Sequence, residues 1–281
     1  MNLYITTMNK RAQIQIKLFS SGFCTANKKH VFPNESSEKI KFCATWALIQ
    51  HPEFGNILFD TGYSSRFFSA TKSFPNRIYR WVTPVFHQEN ESCMNQLKSI
   101  GINAEDIQHI VISHFHADHI AGLHDFPISK FWCSQLALDF ALSRNNFSGV
   151  LNGVLKPLIP NDISNRAAFP EKEFEKTKIA KLRAWKWTED MFFIDLPGHY
   201  KGQLGLFLKD TNLGDVLLCA DAAWARKTVQ EKIYPSKIVS LFIDNYSKLT
   251  QTIDQLNEFH LQHPDVLIIP THCDKTMLLT K

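Results

Sequence analysis

Ile14 to Leu18 alternates apolar and polar residues with a period of two, the pattern of a first strand with one face in a core. Five later runs are short, apolar and rich in β-branched residues: 55–59, 110–112, 191–196, 215–220 and 265–270. Each predicts a strand, and each delivers a histidine or aspartate at its C-terminal end. Asp60 follows the first run, His114, His116, Asp118 and His119 the second, His199 the third, Asp221 the fourth and His272 the fifth. Strand ends along one sheet edge share one face of a molecule, so these side chains are expected to meet.

The segment Ser113-His114-Phe115-His116-Ala117-Asp118-His119 concentrates this chemistry. A polar, solvated loop would account for one or two such residues but not for this density after an apolar strand. Imidazole suits zinc and other borderline transition metals, and carboxylate oxygen adds charge. The other strand ends would supply the remaining ligands.

These pieces together resemble a known family. ILFDTG at 57–62, SHFHADHIAG at 113–122, LPGH at 196–199, CAD at 219–221 and PTH at 270–272 look like the motifs of a metallo-β-lactamase-fold metallohydrolase. The resemblance implies an α+β architecture, the αββα sandwich, with two mixed sheets face to face, helices outside and a dinuclear metal site at one edge. Carried over residue by residue, it implies that His114, His116 and His199 hold one ion, that Asp118, His119 and His272 hold the second, and that Asp221 bridges them. Asp60 would sit behind the ligands and orient them. Two divalent ions are therefore expected, zinc first, although iron, manganese or cobalt suit the same donors. Such ions bring the pKa of water from about 16 to near 7. A hydroxide nucleophile, a net positive charge facing a developing oxyanion, and Asp118 placed to take or pass a proton describe a hydrolase.

Composition narrows the partners. The 281 residues are 44% hydrophobic, which predicts one elaborated domain over 1–281. A formal charge of +4 without a block of like charge argues against nucleic acid. No run of about 18 apolar residues predicts a membrane span, and Met1 to Lys17 lacks the apolar stretch of a signal peptide. The six cysteines are scattered without C-x-x-C, as expected for reduced thiols in a cytoplasm. Cys219 and Cys273 adjoin proposed ligands but are not expected to bind metal, and His109, His124, His260 and His263 are expected to be ordinary surface or hydrogen-bonded histidines.

Two stretches, at about 63–91 and 144–186, exceed a bare sandwich. The second contains a charged run, 171–183, that reads as helical. Both leave from the metal edge and would shape a substrate pocket. Phe67, Phe68, Tyr79, Trp81 and Phe86 would form an apolar lid, or instead cap a sheet or serve a homodimer contact. Glyoxalase II and related thioesterases place a helical domain after the last ligand, whereas only Cys273 to Lys281 follow His272 here. The layout is more similar to the N-acyl-homoserine lactonase branch, with one departure. Those enzymes often carry tyrosine three residues after the bridging aspartate, and this chain has Trp224. The resulting expectation is hydrolysis of a neutral, partly apolar carbonyl ester, foremost a lactone. Alternatives are a thioester or other carboxylic-ester hydrolase and a mono-iron persulfide dioxygenase.

Overall fold

Apolar runs without strict alternation become strands covered on both faces. In the computed structural model, which describes residues 13–273, 55–59 forms such a strand, with Ile57 and Phe59 turned to one core and Leu58 to another. The strands are β1 (Gln15–Asn27), β2 (Lys39–His51), β3 (Gly55–Phe59), β4 (Val85–Phe86), β5 (Ile107–Val111), β6 (Lys130–Trp132), β7 (Ala167–Ala168), β8 (Glu175–Ile179), β9 (Leu182–Lys186), β10 (Met191–Asp195), β11 (Leu204–Thr211), β12 (Gly214–Ala220) and β13 (Leu267–Pro270). Seven form one sheet in the order β4-β1-β2-β3-β5-β6-β7, and six form another in the order β13-β12-β11-β10-β9-β8. Each sheet mixes parallel and antiparallel pairs. This is the expected pair of mixed sheets.

Ile16, Leu18, Ile49, Phe59 and Val111 of the first sheet pack against Phe193, Leu206, Leu218 and Ile269 of the second. Outside the first sheet, Trp46, Leu58 and Ile110 meet Phe67, Leu97, Phe126 and Leu155. Outside the second lies the helix Tyr246–Gln262, capped by Asn245 Oδ1 accepting from Lys248 N at 2.9 Å. Its Leu249, Ile253, Leu256 and Phe259 recur at helical spacing and are buried. Leu256 and Phe259 sit in the same cluster as Phe192, Ile194 and Leu217. The helix ends at His263, before Pro264, where a proline would disfavour further turns.

The insertions differ from expectation. Of 171–183, only the short helix Pro170–Glu173 is helical; β8 and β9 then pair from Glu175↔Lys186 to Ile179↔Leu182. Leu182 and Ala184 point into one core and Trp185 into the other, so β9 obeys a period of two. Glu175, Lys176 and Lys178 lie on β8, an edge strand, where charge discourages pairing with other chains. In 63–91, Phe67 is wholly buried against Tyr63, Phe68 and Tyr79. Trp81 and Phe86 are exposed, and Phe86 stacks on Phe23 with ring centroids 5.0 Å apart. Among the described residues no helix is long and apolar enough to cross a membrane.

Candidate metal centre

The loops that carry the candidate ligands come from both sheets. β3 and β5 of the first sheet lead into Asp60 and the 113–119 segment, while β10, β12 and β13 of the second lead to His199, Asp221 and His272. Neither sheet alone could assemble the cluster. Backbone hydrogen bonds join the pieces: Thr61 N donates to His119 O at 2.8 Å, Leu204 N to Ser113 O at 2.9 Å, and Thr271 N to Ala220 O at 3.3 Å. Asp60 and Ala220 turn the chain with positive φ, at 60° and 47°, directly at these strand ends.

The structure brings all seven predicted ligands together, and all are buried. Three sets of potential donor atoms lie within 4.8 Å of one another: His114, His116 and His199; His114, His119 and Asp221; Asp118, His119 and His272. Asp221 faces both halves, with Oδ2 3.3 Å from His199 Nε2 and 2.9 Å from His272 Nε2, and Oδ1 3.4 Å from His119 Nε2. Asp118 Oδ2 lies 3.6 Å from His272 Nε2 and 3.8 Å from His119 Nε2. No cysteine belongs to these sets, and all six thiols are free.

Hydrogen bonds behind the cluster set the imidazole tautomers. Asp60 Oδ1 accepts from Ser113 N at 2.8 Å, and its Oδ2 accepts from Ser113 Oγ at 2.7 Å. Asp60 Oδ2 also faces His119 Nδ1 at 2.8 Å; a carboxylate only accepts, so that nitrogen donates. With its proton given to Asp60, Ser113 Oγ accepts from His114 Nδ1 at 3.0 Å. His272 Nδ1 donates to the Cys43 carbonyl at 2.9 Å. In each ring the Nε2 lone pair is thereby directed at the cluster. Ser113 and the Cys43 carbonyl are missing from the residues read out of the sequence. Ser113 carried one signal, a hydroxyl at the buried end of an apolar strand beside His114.

Gly153 also supports the cluster. Its φ is +72°, and a Cβ there would stand 2.4 Å from His116 Cδ2, so only glycine lets the backbone lie against that ring. The Tyr200 ring packs 5.1 Å from His116 and 5.4 Å from His114.

The donor set fits divalent metal ions. His114 Nε2, His119 Nε2 and Asp221 Oδ1 are buried without a hydrogen-bond partner among the described residues, an arrangement that costs free energy unless a cation meets them. His116 Nδ1 and His199 Nε2 face each other at 3.0 Å, which a shared cation would satisfy. Burial pushes His114, His116 and His199 below the usual imidazole range, His116 to about 4, which keeps their lone pairs available. Burial also opposes charge on His119, but Asp118, Asp60 and Asp221 outweigh it and raise that ring. Asp221 likewise raises His272 against burial. The Asp221 carboxyl is held well below its usual range because His272, His119 and His199 outweigh its burial.

A cavity of about 610 Å³ opens beside His272 and Trp224. Its walls are segments of 28–42 and 224–230 with Cys273, and none of Phe67, Phe68, Tyr79, Trp81 or Phe86 lines it. Trp224 stands perpendicular to His199, with centroids 5.9 Å apart, and edge-on to Phe42 at 5.8 Å.

Comparison with known proteins agrees with this geometry. The family profile for the metallo-β-lactamase superfamily matches residues 42–133, and that described as anti-Pycsar protein Apyc1 matches residues 90–281. The N-acyl homoserine lactonase AttM of Rhizobium radiobacter is 22% identical over 235 residues, 80% of each chain. AiiA of Bacillus thuringiensis subsp. kurstaki, also an N-acyl homoserine lactonase, is 22% identical over 213 residues, 76% of this chain and 77% of its own. An N-acyl homoserine lactone hydrolase solved with N-hexanoyl-L-homoserine at its catalytic metal centre superposes with a TM-score of 0.74 at 18% identity, covering 94% of this chain and 96% of its own. The dizinc lactonase AidC superposes with a TM-score of 0.63 at 16% identity, covering 93% and 88%. The chain is thus a metal-dependent hydrolase of the metallo-β-lactamase superfamily and belongs to the family described as anti-Pycsar protein Apyc1.

Proposed function

We propose that the protein opens a lactone or a related carbonyl ester, with N-acyl homoserine lactones as the leading class, and that it works with two divalent ions, zinc first. His114, His116 and His199 would hold one, Asp118, His119 and His272 the other, and Asp221 both. The observation that carries this reading is Asp221, whose two oxygens face His119 on one side and His199 and His272 on the other. Such a carboxylate, within reach of histidines of both proposed ion sites, suits two ions.

Divalent ions there supply Lewis acidity and hydroxide at neutral pH. The chain supplies the rest. Asp60 and Ser113 fix the His119 and His114 rings so that each Nε2 keeps its lone pair. A carboxylate oxygen of Asp118, at the edge of the cluster, is placed to accept a proton and return it to the leaving alkoxide. Phe42 and Trp224 form an apolar wall at the mouth, limiting water. The Trp224 indole N–H can donate a hydrogen bond to a substrate carbonyl but cannot protonate a leaving group as a phenol would.

The test is a panel on metal-replete protein: acyl homoserine lactones of increasing chain length, a glutathione thioester and a phosphodiester, with metal content measured on the same sample. Lactone opening as the fastest reaction, at about two equivalents of metal, supports the proposal. Faster thioester cleavage would move the protein to that class, and activity on the phosphodiester alone would overturn the carbonyl-ester reading.

A further inference from the structure

The cavity beside His272 has more than the apolar walls an acyl chain needs. Val31, Phe32, Ile40, Phe42 and Trp224 give it an apolar side, but Lys28, Lys41, Arg226 and Lys227 line it too, against one carboxylate, Glu35. That carboxylate is already shared, with Lys28 Nζ and Lys227 Nζ each 2.9 Å from its oxygens. Glu38, 2.6 Å from Lys28, and Glu231, 3.8 Å from Lys227, complete that network. Glu35 thus ties the 28–35 segment to the helix Arg226–Gln230 through Lys227, and Ser236 N, beyond that helix, donates to His30 O at 2.9 Å. Lys41 and Arg226 have no carboxylate partner among the described residues; Lys41 lies over the Phe23 ring, 4.5 Å from its centroid. Two cations thus remain for a ligand in a cavity whose inner end is His272, 2.9 Å from Asp221.

We propose that the cavity selects substrates bearing an anionic group, carboxylate or phosphate, remote from the bond that is cut. Lys41 and Arg226 bind the anion, while Val31, Ile40, Phe42 and Trp224 cover the aliphatic stretch between it and the metals. This rests on the reading of the metal cluster as the place of ester cleavage, and it adds to the lactone or related ester of that reading an anionic group at the far end of its aliphatic part.

The experiment is calorimetric titration of zinc-loaded protein with adipate, suberate and sebacate against hexanoate, octanoate and decanoate, and with ω-phosphonohexanoate. All offer one carboxylate to the metals, and only the diacids and the phosphonate carry a second anion. At low salt the best dianion should bind about five- to tenfold tighter than the monoacid of equal length, the reach of two partly exposed charge contacts. High salt should shrink that preference towards unity. The Lys41→Gln, Arg226→Gln double variant should abolish it, and Lys41→Arg should retain it. The tighter of the carboxylate and phosphonate arms identifies the preferred anion. Equal binding of mono- and dianions, or a preference that ignores salt, would overturn the proposal even if the variants failed to fold. Loss of turnover on every ester with the dianion preference intact would remove the ester reading and leave the anion site standing.

Discussion

His119 Nδ1 lies 2.8 Å from Asp60 Oδ2, and both side chains are wholly removed from solvent. The pair joins the turn after β3 to the segment after β5, and it decides which nitrogen of His119 carries the proton. Burial raises the Asp60 carboxyl, and the contacts from His119 and Ser113 work against that rise. Asp60→Asn keeps the shape but can present an amide N–H to Nδ1, which would turn the lone pair away from the cluster. Metal affinity should fall about 10–100-fold, the usual cost of losing such a support, as read by competition with a chromogenic chelator. Unchanged affinity would show that Asp60 does not orient His119.

Asp221 contacts more of the cluster than any other carboxylate described here, so Asp221→Ala should deplete both ions. Elemental analysis is expected to drop well below the native content, with turnover reduced by at least about a hundredfold. Cys219→Ser and Cys273→Ser should keep their metal, because neither thiol belongs to a donor set. A Cys273→Ser protein stripped as thoroughly as Asp221→Ala would refute this ligand assignment.

Gly153→Ala separates backbone strain from damage to the site. Gly101 also has a positive φ, of +80°, yet a Cβ there meets nothing within 4 Å. Both alanine variants should lose about 1–2 kcal/mol to left-handed backbone. Only Gly153→Ala should also displace His116 and lower metal content and kcat. Equal metal content and kcat in the two variants would mean that the Gly153 contact has no bearing on the centre.

Metal removal should be visible in stability. His114 Nε2 would be left buried and unpaired, and His119 Nε2 and Asp221 Oδ1 with only each other at 3.4 Å; a ligand at a hundred times its Kd stabilises by about 2.7 kcal/mol. For a chain of this size the Tm should fall by roughly 5–10 °C on chelation and recover with zinc. Identical calorimetric transitions with and without chelator would mean that the cluster holds no ion.

Much of the centre was legible because its residues adjoin strands that announce themselves locally. His114 follows an apolar run, Asp221 another and His272 a third, so strand identity and ligand position came from one stretch of chain each. The 171–183 segment reads as helical in the sequence because its charges fit either period, whereas its second half pairs as β8 and β9. Only Leu182, Ala184 and Trp185, docking on opposite sides of β9, show the period to be two.

The sequence by itself determined the short apolar strands and the histidine or aspartate at the end of each, because apolar period and strand-end position are properties of a few consecutive residues; the two-sheet sandwich and the set of seven candidate ligands came with the family that its motifs resemble. Tertiary structure alone decided what surrounds them. Ser113 acts through Asp60, 53 residues away in the chain, and His272 through the carbonyl of Cys43, 229 residues away. The cavity is walled by 28–42 and 224–230, while the aromatic 63–91 segment sends Phe67 into the core. Contacts between remote segments depend on which strands pair and how the two sheets pack, and no local pattern of apolar and polar residues encodes either.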